Sequence, residues 1–380
     1  MLYRMKTAHN IATILPPSEH FTPAAAGAIA LFVRDTTMGS VFQKNVTVYG
    51  NDTDKQRHFQ NIAYQGVAPK MRLLYGRNGG FAQALGDEFR RNPPSLIEVH
   101  NRVNIFNILA SHMPQSLITL YFHNDPLTIK GAMTPKERWG LLARADAIYC
   151  CSDYVRRRFL TGLEAGRTEH VHVVYEYTDL KPRHKKENII LYVGRLIEEK
   201  GVRELAQAAQ RLLPHFPDWR IVFAGANRPG GKNDTAYARE VGRILKPLGK
   251  QAIFLGHQPH PKIMNLFARA AIAVVPSTWS EPMGRTAVEG IASGCALVTS
   301  GHGGLAEIAG EAGILASPVT PDGLALALQG LMEDPETLRQ VQNLCYQHAA
   351  HFDLKAGRAY FDALRERMLN KSYNQPQRFY

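Results

Sequence analysis

Four residues have the charge and spacing to hold a phosphorylated sugar. Arg195 and Lys200 stand five positions apart in "YVGRLIEEKGV" (192–202). Glu281 and Glu289 stand eight apart in "SEPMGRTAVEG" (280–290). Two cations beside a helix start make a site for a diphosphate, because side chains and helix amides then act on the same oxygens. A carboxylate on a loop can accept from sugar hydroxyls, and one on the helix that follows can accept both hydroxyls of a ribose. The amides between them, on Gly284, Arg285 and Thr286, would hold phosphate. Each feature also has a plainer reading. Arg195 and Lys200 could be solvated loop residues, Arg285 and Glu289 have the spacing of an ordinary i,i+4 helix pair, and Glu281 could merely cap the helix.

Such residues must be carried on strand ends. Short apolar runs recur along the chain, separated by stretches long enough for helices. In the first half they are residues 11–15, 46–50, 96–100, 117–121, 147–151 and 171–175. In the second half they are 189–194, 220–225, 252–256, 271–275, 295–300 and 313–316. Continuous β-branched runs bounded by Gly, Ser or Pro suit strands buried on both faces. Residues 200–216 and 261–270 read as helices between them. The alternation, twice over, predicts an α/β protein of two Rossmann-like, doubly wound domains facing across a cleft. The polar, basic stretch "TDLKPRHKKEN" (178–188) separates them. The expected division is 1–180, 187–355, and a helical tail over 356–380 that packs back on the first domain. In such sheets ligands bind beyond the C-terminal ends of the strands, so residues immediately after strands deserve most weight.

Composition narrows the classes. The 380 residues suit two domains better than one. No run approaches the roughly 18 apolar residues of a spanning helix, and the N-terminal stretch reads as a first strand, not an export signal. Cys150, Cys151, Cys295 and Cys345 lack metal-ligand spacing, which predicts reduced thiols in a cytosolic protein. The net charge is +12. Residues 1–185 hold 23 Lys+Arg against 15 Asp+Glu, and residues 186–380 hold 22 against 18. The first half is therefore the more basic. Arg156, Arg157 and Arg158 concentrate there, either as a solvated helix face or as a patch for anionic headgroups. No recognised module or stacking array points to nucleic acid.

Three motifs in order carry a family resemblance: "VGRLIEEKG", then "SEPMGRTAVEGIASGCALVTS" with its Glu-x7-Glu signature, then "GGLAEI". Residues 187–350 resemble the retaining glycosyltransferases of the GT-B fold, specifically family 4. "LITLYFHNDP" is similar to the family segment whose histidine faces the donor sugar, here His123. "RADAIYCCSDYVRRRF" resembles a further strand and helix of the family, with Ser152. Where the family has paired glycines after the first strand, this chain has Gly27 alone, with Thr22-Pro23 as the expected helix cap and first helical residue. The family's Asn-Gly pair before the linker is replaced by "YEYTDL".

The resemblance implies a cytosolic hexosyltransferase that retains the anomeric configuration. A UDP- or GDP-sugar would be the donor. The acceptor would be a hydroxyl of a bacterial lipid-linked, lipopolysaccharide or exopolysaccharide saccharide at the inner face of the cytoplasmic membrane. Arg195, Lys200, Gly284, Arg285 and Thr286 would take the diphosphate, and Glu289 the ribose. His123, Glu281 and Met283 would take the sugar, with His123 and Glu281 as the catalytic candidates. Gly27 and His100 would lie on the acceptor side. Double displacement and same-face attack both remain open. No cofactor or metal is expected. The Asp-x-Asp string at Asp52 and Asp54, a metal motif in the other main glycosyltransferase fold, reads better as a solvated turn. The alternatives are a sugar-nucleotide epimerase of similar architecture and a non-catalytic nucleotide-sugar-binding subunit.

Overall fold

The computed structural model describes residues 9–51, 58–164, 168–226 and 235–374. Asp52 and Asp54 lie outside the described residues. The chain forms two compact units. One holds the residues up to Tyr175 together with those from Lys355 onward; the other is Glu176–Leu354.

The first unit contains β1 (Ile11–Ile14), β2 (Val46–Asn51), β3 (Ala63–Val67), β4 (Leu96–His100), β5 (Leu117–Phe122), β6 (Ala147–Cys150) and β7 (Val171–Val173). Their order in the sheet is β3-β2-β1-β4-β5-β6-β7, and every pairing is parallel. Apolar runs mark six of these strands. The exception is β3, whose "AYQGV" is half-exposed at the sheet edge and has no continuous buried run to betray it. The chain winds outward from β1 to β3, then returns to β4 on the other side of β1. That reversal opens a crevice at the C-terminal ends of β1 and β4.

The second unit repeats the plan with β8 (Glu187–Val193), β9 (Arg220–Ala224), β10 (Ala252–Gly256), β11 (Ala270–Val275), β12 (Ala296–Thr299) and β13 (Ile314–Leu315). The order is β10-β9-β8-β11-β12-β13, again parallel throughout, with the reversal between β8 and β11. All six residues of β11 are buried, as a strand covered by helices on both faces requires. The helix Val202–Leu212 buries Val202, Leu205, Ala206, Ala209 and Leu212, the 3.6-residue stripe that faces a core. Burying each large side chain of this kind contributes about 1.5–3 kcal/mol. Ile189, Leu191, Val222, Phe267 and Ala273 belong to one core cluster at the centre of the sheet.

Two features of the first unit differ from expectation or went unseen. Thr22 and Pro23 do not open a helix. The carbonyl of Thr22 accepts from Ala25 and Ala26 in a turn, and the helix is Ala28–Thr37 with Gly27 at its N-cap. The physical reason lies upstream. A Glu19 carboxylate oxygen sits 3.2 Å from the Ala30 amide and so serves the helix start from outside. Secondly, the C-terminal helix Leu354–Asn374 sends Arg365 into the first sheet. Its Nε and Nη2 donate to the two oxygens of Glu98 at 2.7 and 2.8 Å, and the Thr13 hydroxyl donates to the same carboxylate at 2.8 Å. Arg365 is 1% exposed, so this bidentate pair is fully desolvated and removing one member would cost about 3–5 kcal/mol.

All four cysteines are free and buried. Burial pushes the Cys295 and Cys345 thiols up to about 11, which keeps both protonated and unreactive. Among the described residues no helix is long and apolar enough to cross a membrane.

Candidate active site

The switch point of the second sheet is where the chemistry-bearing residues gather. After β8 come Gly194 and exposed Arg195, whose backbone carbonyl accepts from the Tyr192 hydroxyl at 2.6 Å. Among the described residues the Arg195 side chain makes no ion pair. A single 3-10 turn, Glu198–Lys200, follows. It ends at Gly201, which has φ +64°. A side chain at Gly201 would place its Cβ 1.9 Å from the Pro276 carbonyl oxygen, so glycine lets the turn lie against the loop after β11.

That loop brings Glu281 to Lys200. Lys200 Nζ and the Ser277 hydroxyl both contact Glu281 Oε1. Glu281 is 5% exposed, and the Lys200 ammonium also lies 5.3 Å from the centre of the Trp279 ring. Glu281 therefore does not cap the helix: the N-cap is Gly284, with no side-chain cap bond. The "GG" of "GGLAEI" closes the loop from beneath. Gly304 N donates to the Glu281 carbonyl at 2.7 Å, and a Cβ at Gly303 (φ +68°) would lie 2.3 Å from that same oxygen. The backbone of Glu281 is thus clamped while its carboxylate is held by a cation and a hydroxyl.

The helix Arg285–Ala292 begins one residue after Gly284, and its ladder starts with Ala287 and Val288 donating to the Gly284 carbonyl. The amides of Gly284, Arg285 and Thr286 precede that ladder, as helix-start amides do. Met283 is buried beside them. The i,i+4 pair is made: Arg285 Nε donates to Glu289 Oε1 at 2.8 Å. His260 Nε2 meets the same oxygen at 2.8 Å. Glu289 is 2% exposed. Burial alone would push its carboxyl up, but Arg285 and His260 outweigh it and hold the carboxyl below the usual range.

Ser277, Trp279 and His260 were missed from the sequence. His260 is 29 positions from Glu289 and opens a different helix, so no local spacing betrays it. Ser277 and Trp279 lie in a loop, where no periodicity operates.

In the first unit His123 directly follows β5 and is 6% exposed. Gly27 caps the first helix, and a Cβ there would lie 2.3 Å from the Glu19 carboxylate. Ser152 caps the helix Asp153–Leu160, its oxygen accepting from Val155 N. His100 ends β4. It is 1% exposed, and its Nδ1 lies 3.0 Å from His123 Nε2. The arginine patch is weaker than its sequence suggests. Arg156 and Arg157 pair with Asp153 at 2.7 and 3.2 Å, and Arg158 pairs with Asp125 at 2.8 Å. Two carboxylates offset three cations. Among the described residues no cluster of His, Cys, Asp or Glu has the grouping of a metal site.

The sequence model of glycosyl transferases group 1 matches residues 177–347, the whole of this switch-point region. That match takes in slightly under half of the chain. The chain is 38% identical over 149 residues to glycogen synthase of Mycobacterium tuberculosis, covering 38% of this chain and 34% of that one. It is 25% identical over 271 residues to the lipopolysaccharide 1,2-N-acetylglucosaminetransferase of Salmonella typhimurium, covering 66% and 67%. The structure of Anabaena HepE in complex with UDP-glucose superposes with a TM-score of 0.73 at 17% identity, covering 94% of this chain and 99% of that one. The fold is that of the GT-B glycosyltransferases. The matched segment spans about a third of the glycogen synthase's length, so the likeness at the higher identity concerns that segment alone.

Proposed function

We propose that this protein is a retaining, metal-independent hexosyltransferase of family 4, using a UDP- or GDP-sugar as donor and a saccharide hydroxyl as acceptor. The observation that carries the reading is the cluster at the β8/β11 switch point. It joins an exposed arginine, a lysine, a clamped carboxylate and the start of a helix within the region that matches the glycosyl transferases group 1 model. Leaving-group charge develops on the diphosphate as the glycosidic bond breaks. Arg195, Lys200 and the amides of Gly284, Arg285 and Thr286 supply fixed positive charge for it. Lys200 would then serve two anions, the diphosphate and Glu281, and so tie the sugar to its leaving group. Glu281, with Met283 beside it, would hold the sugar; Glu289 would hold the ribose through Oε2.

The neighbours' names favour a uridine nucleotide and a cell-envelope acceptor, since HepE was solved with UDP-glucose and the Salmonella relative acts on lipopolysaccharide. A lipid-linked acceptor would place the enzyme at the inner face of the cytoplasmic membrane. The surface best suited to that contact is not the arginine patch. Met71, Leu73, Leu74 and Tyr75 are exposed in this stretch, Leu73 completely, and Lys70 beside them pairs with Asp87 at 2.6 Å. An exposed apolar knob of this kind suits burial in the boundary layer of a bilayer.

Turnover tests the reading. UDP-glucose or GDP-mannose is supplied with a crude lipid-linked saccharide fraction, and free nucleoside diphosphate is measured together with the anomeric configuration of the product. Acceptor-dependent diphosphate release with retention is expected. A sugar nucleotide merely isomerised would indicate an epimerase. Binding with no turnover of any donor would indicate a non-catalytic subunit.

A further inference from the structure

An arginine that stands on a loop meets an anion in one place only if the loop itself is held. Gly194, Arg195 and Leu196 follow β8. The Gly194 amide donates to the Ala224 carbonyl of β9 at 3.1 Å. The next residue of that neighbour, Gly225, approaches so closely that a Cβ there would lie 1.9 Å from the Gly194 carbonyl oxygen. Leu196 is 1% exposed. Between these two held residues lies exposed Arg195, whose carbonyl accepts from the Tyr192 hydroxyl at 2.6 Å.

Tyr192 is built into the sheet. It is 2% exposed, its ring packs 5.7 Å from that of Phe223 on β9, and Phe223 stacks on Phe254 of β10 at 5.1 Å. Glycine at 194 leaves the hydroxyl its path to the loop, since a Cβ there would lie 2.7 Å from the hydroxyl oxygen. Packing alone would be served by phenylalanine. A buried hydroxyl costs free energy unless it is bonded, and this one bonds the backbone of Arg195. Burial first, then the Glu281 carboxylate, raise the hydroxyl well above the usual tyrosine range, so it keeps its proton and donates throughout neutral pH.

We propose that Tyr192 is a positioning residue for the diphosphate contact: its hydroxyl holds the Arg195 carbonyl and so sets the direction in which the Arg195 side chain leaves the loop. It rests on the reading of Arg195 as a ligand of the donor diphosphate. The carbonyl bond fixes the peptide plane after Arg195. Without that bond the plane can turn, and the Cα–Cβ direction turns with it. A long, rotamer-rich side chain then loses more entropy in reaching the same oxygens.

Calorimetric titration of UDP and of GDP into the full-length wild type, Tyr192→Phe, Arg195→Ala and the double variant tests it. Tyr192→Phe keeps the ring and removes the hydroxyl alone. It is expected to raise the Kd of the nucleoside diphosphate that the wild type binds by at least about fivefold. In the Arg195→Ala background the same change should raise Kd less than about twofold, because the side chain through which it acts is gone. A hydroxyl that merely supported the fold would weaken the Lys200 and helix-start contacts as well, and its loss would show in both backgrounds. Equal Kd in wild type and a folded Tyr192→Phe, or the same fold-change in both backgrounds, would overturn the proposal and leave the diphosphate site standing. A wild type that binds neither nucleotide, or an Arg195→Ala protein that binds as tightly as wild type, would overturn the diphosphate reading and the role of Tyr192 with it.

Discussion

Replacing Lys200 by Met removes a charge from the centre of the candidate site and keeps the aliphatic stem in place. Glu281, 5% exposed, would then retain the Ser277 hydroxyl but lose its cation. Removing one partner of a fully buried pair costs about 3–5 kcal/mol, because the other charge is left desolvated. Two observations place this case lower. The Lys200 side chain is 18% exposed, so some water can reach the vacated position, and Ser277 continues to donate. We therefore expect a loss of about 2–3 kcal/mol in the second unit. For a unit of this size, about 2–4 °C per kcal/mol gives a fall in Tm of roughly 4–12 °C. Scanning calorimetry, following the transition of the second unit, reads it. Adding Glu281→Gln removes the orphaned charge, so the double variant should melt higher than Lys200→Met alone. A Lys200→Met protein melting within about 1 °C of wild type, or a double variant melting lower than the single, would refute the assignment of this pair as a desolvated ion pair.

Other outcomes follow from the same geometry. Glu289 has a carboxyl depressed by Arg285 and His260 against the opposing effect of burial, so its stabilisation is present above the unfolded carboxyl range and is lost as pH falls through the lower folded value. The Tm difference between wild type and Glu289→Gln should accordingly be large at pH 7 and shrink toward pH 3; a difference independent of pH would contradict it. Turnover should persist in EDTA and in the Asp52→Ala, Asp54→Ala double variant, and an absolute metal requirement lost with those aspartates would move the diphosphate site. Leu73→Asp with Leu74→Asp should lower binding to vesicles containing phosphatidylglycerol at least tenfold, whereas Arg156→Gln should change it little; the reverse order would restore the arginine patch.

Much of the framework was legible because parallel strands buried on both faces are written as continuous apolar runs. Twelve such runs coincide with twelve strands, and the edge strand β3, half-exposed and polar, escaped because edge position removes that signal. The start of the helix at Arg285 could be read from Pro282 and Gly284, since local chemistry dictates a helix end. The start of the first helix could not. Thr22-Pro23 has the right local chemistry, but Glu19, brought in by the path of the chain, serves the amides further along. The same limit applies in the site. Lys200 and Glu281 were identified singly by their positions after strands, yet their contact spans 81 residues and depends on Gly201 and Gly303 allowing two loops to meet. The burial of His100 and its bond to His123 likewise arise from strand pairing, not from anything within five residues of either.

The central claim is that the β8/β11 switch point holds the diphosphate of a nucleotide sugar. Calorimetric titration of UDP-glucose and GDP-mannose into the wild-type protein and into Arg195→Ala, with no divalent metal present, tests it most directly. Arg195 is exposed and makes no ion pair among the described residues, so its removal should leave the fold intact. One charge-assisted contact contributes about 1.5–3 kcal/mol, so Kd should rise about ten- to a hundredfold in the variant. Equal affinity in a folded Arg195→Ala, or no binding of either sugar nucleotide to the wild type, would contradict the account.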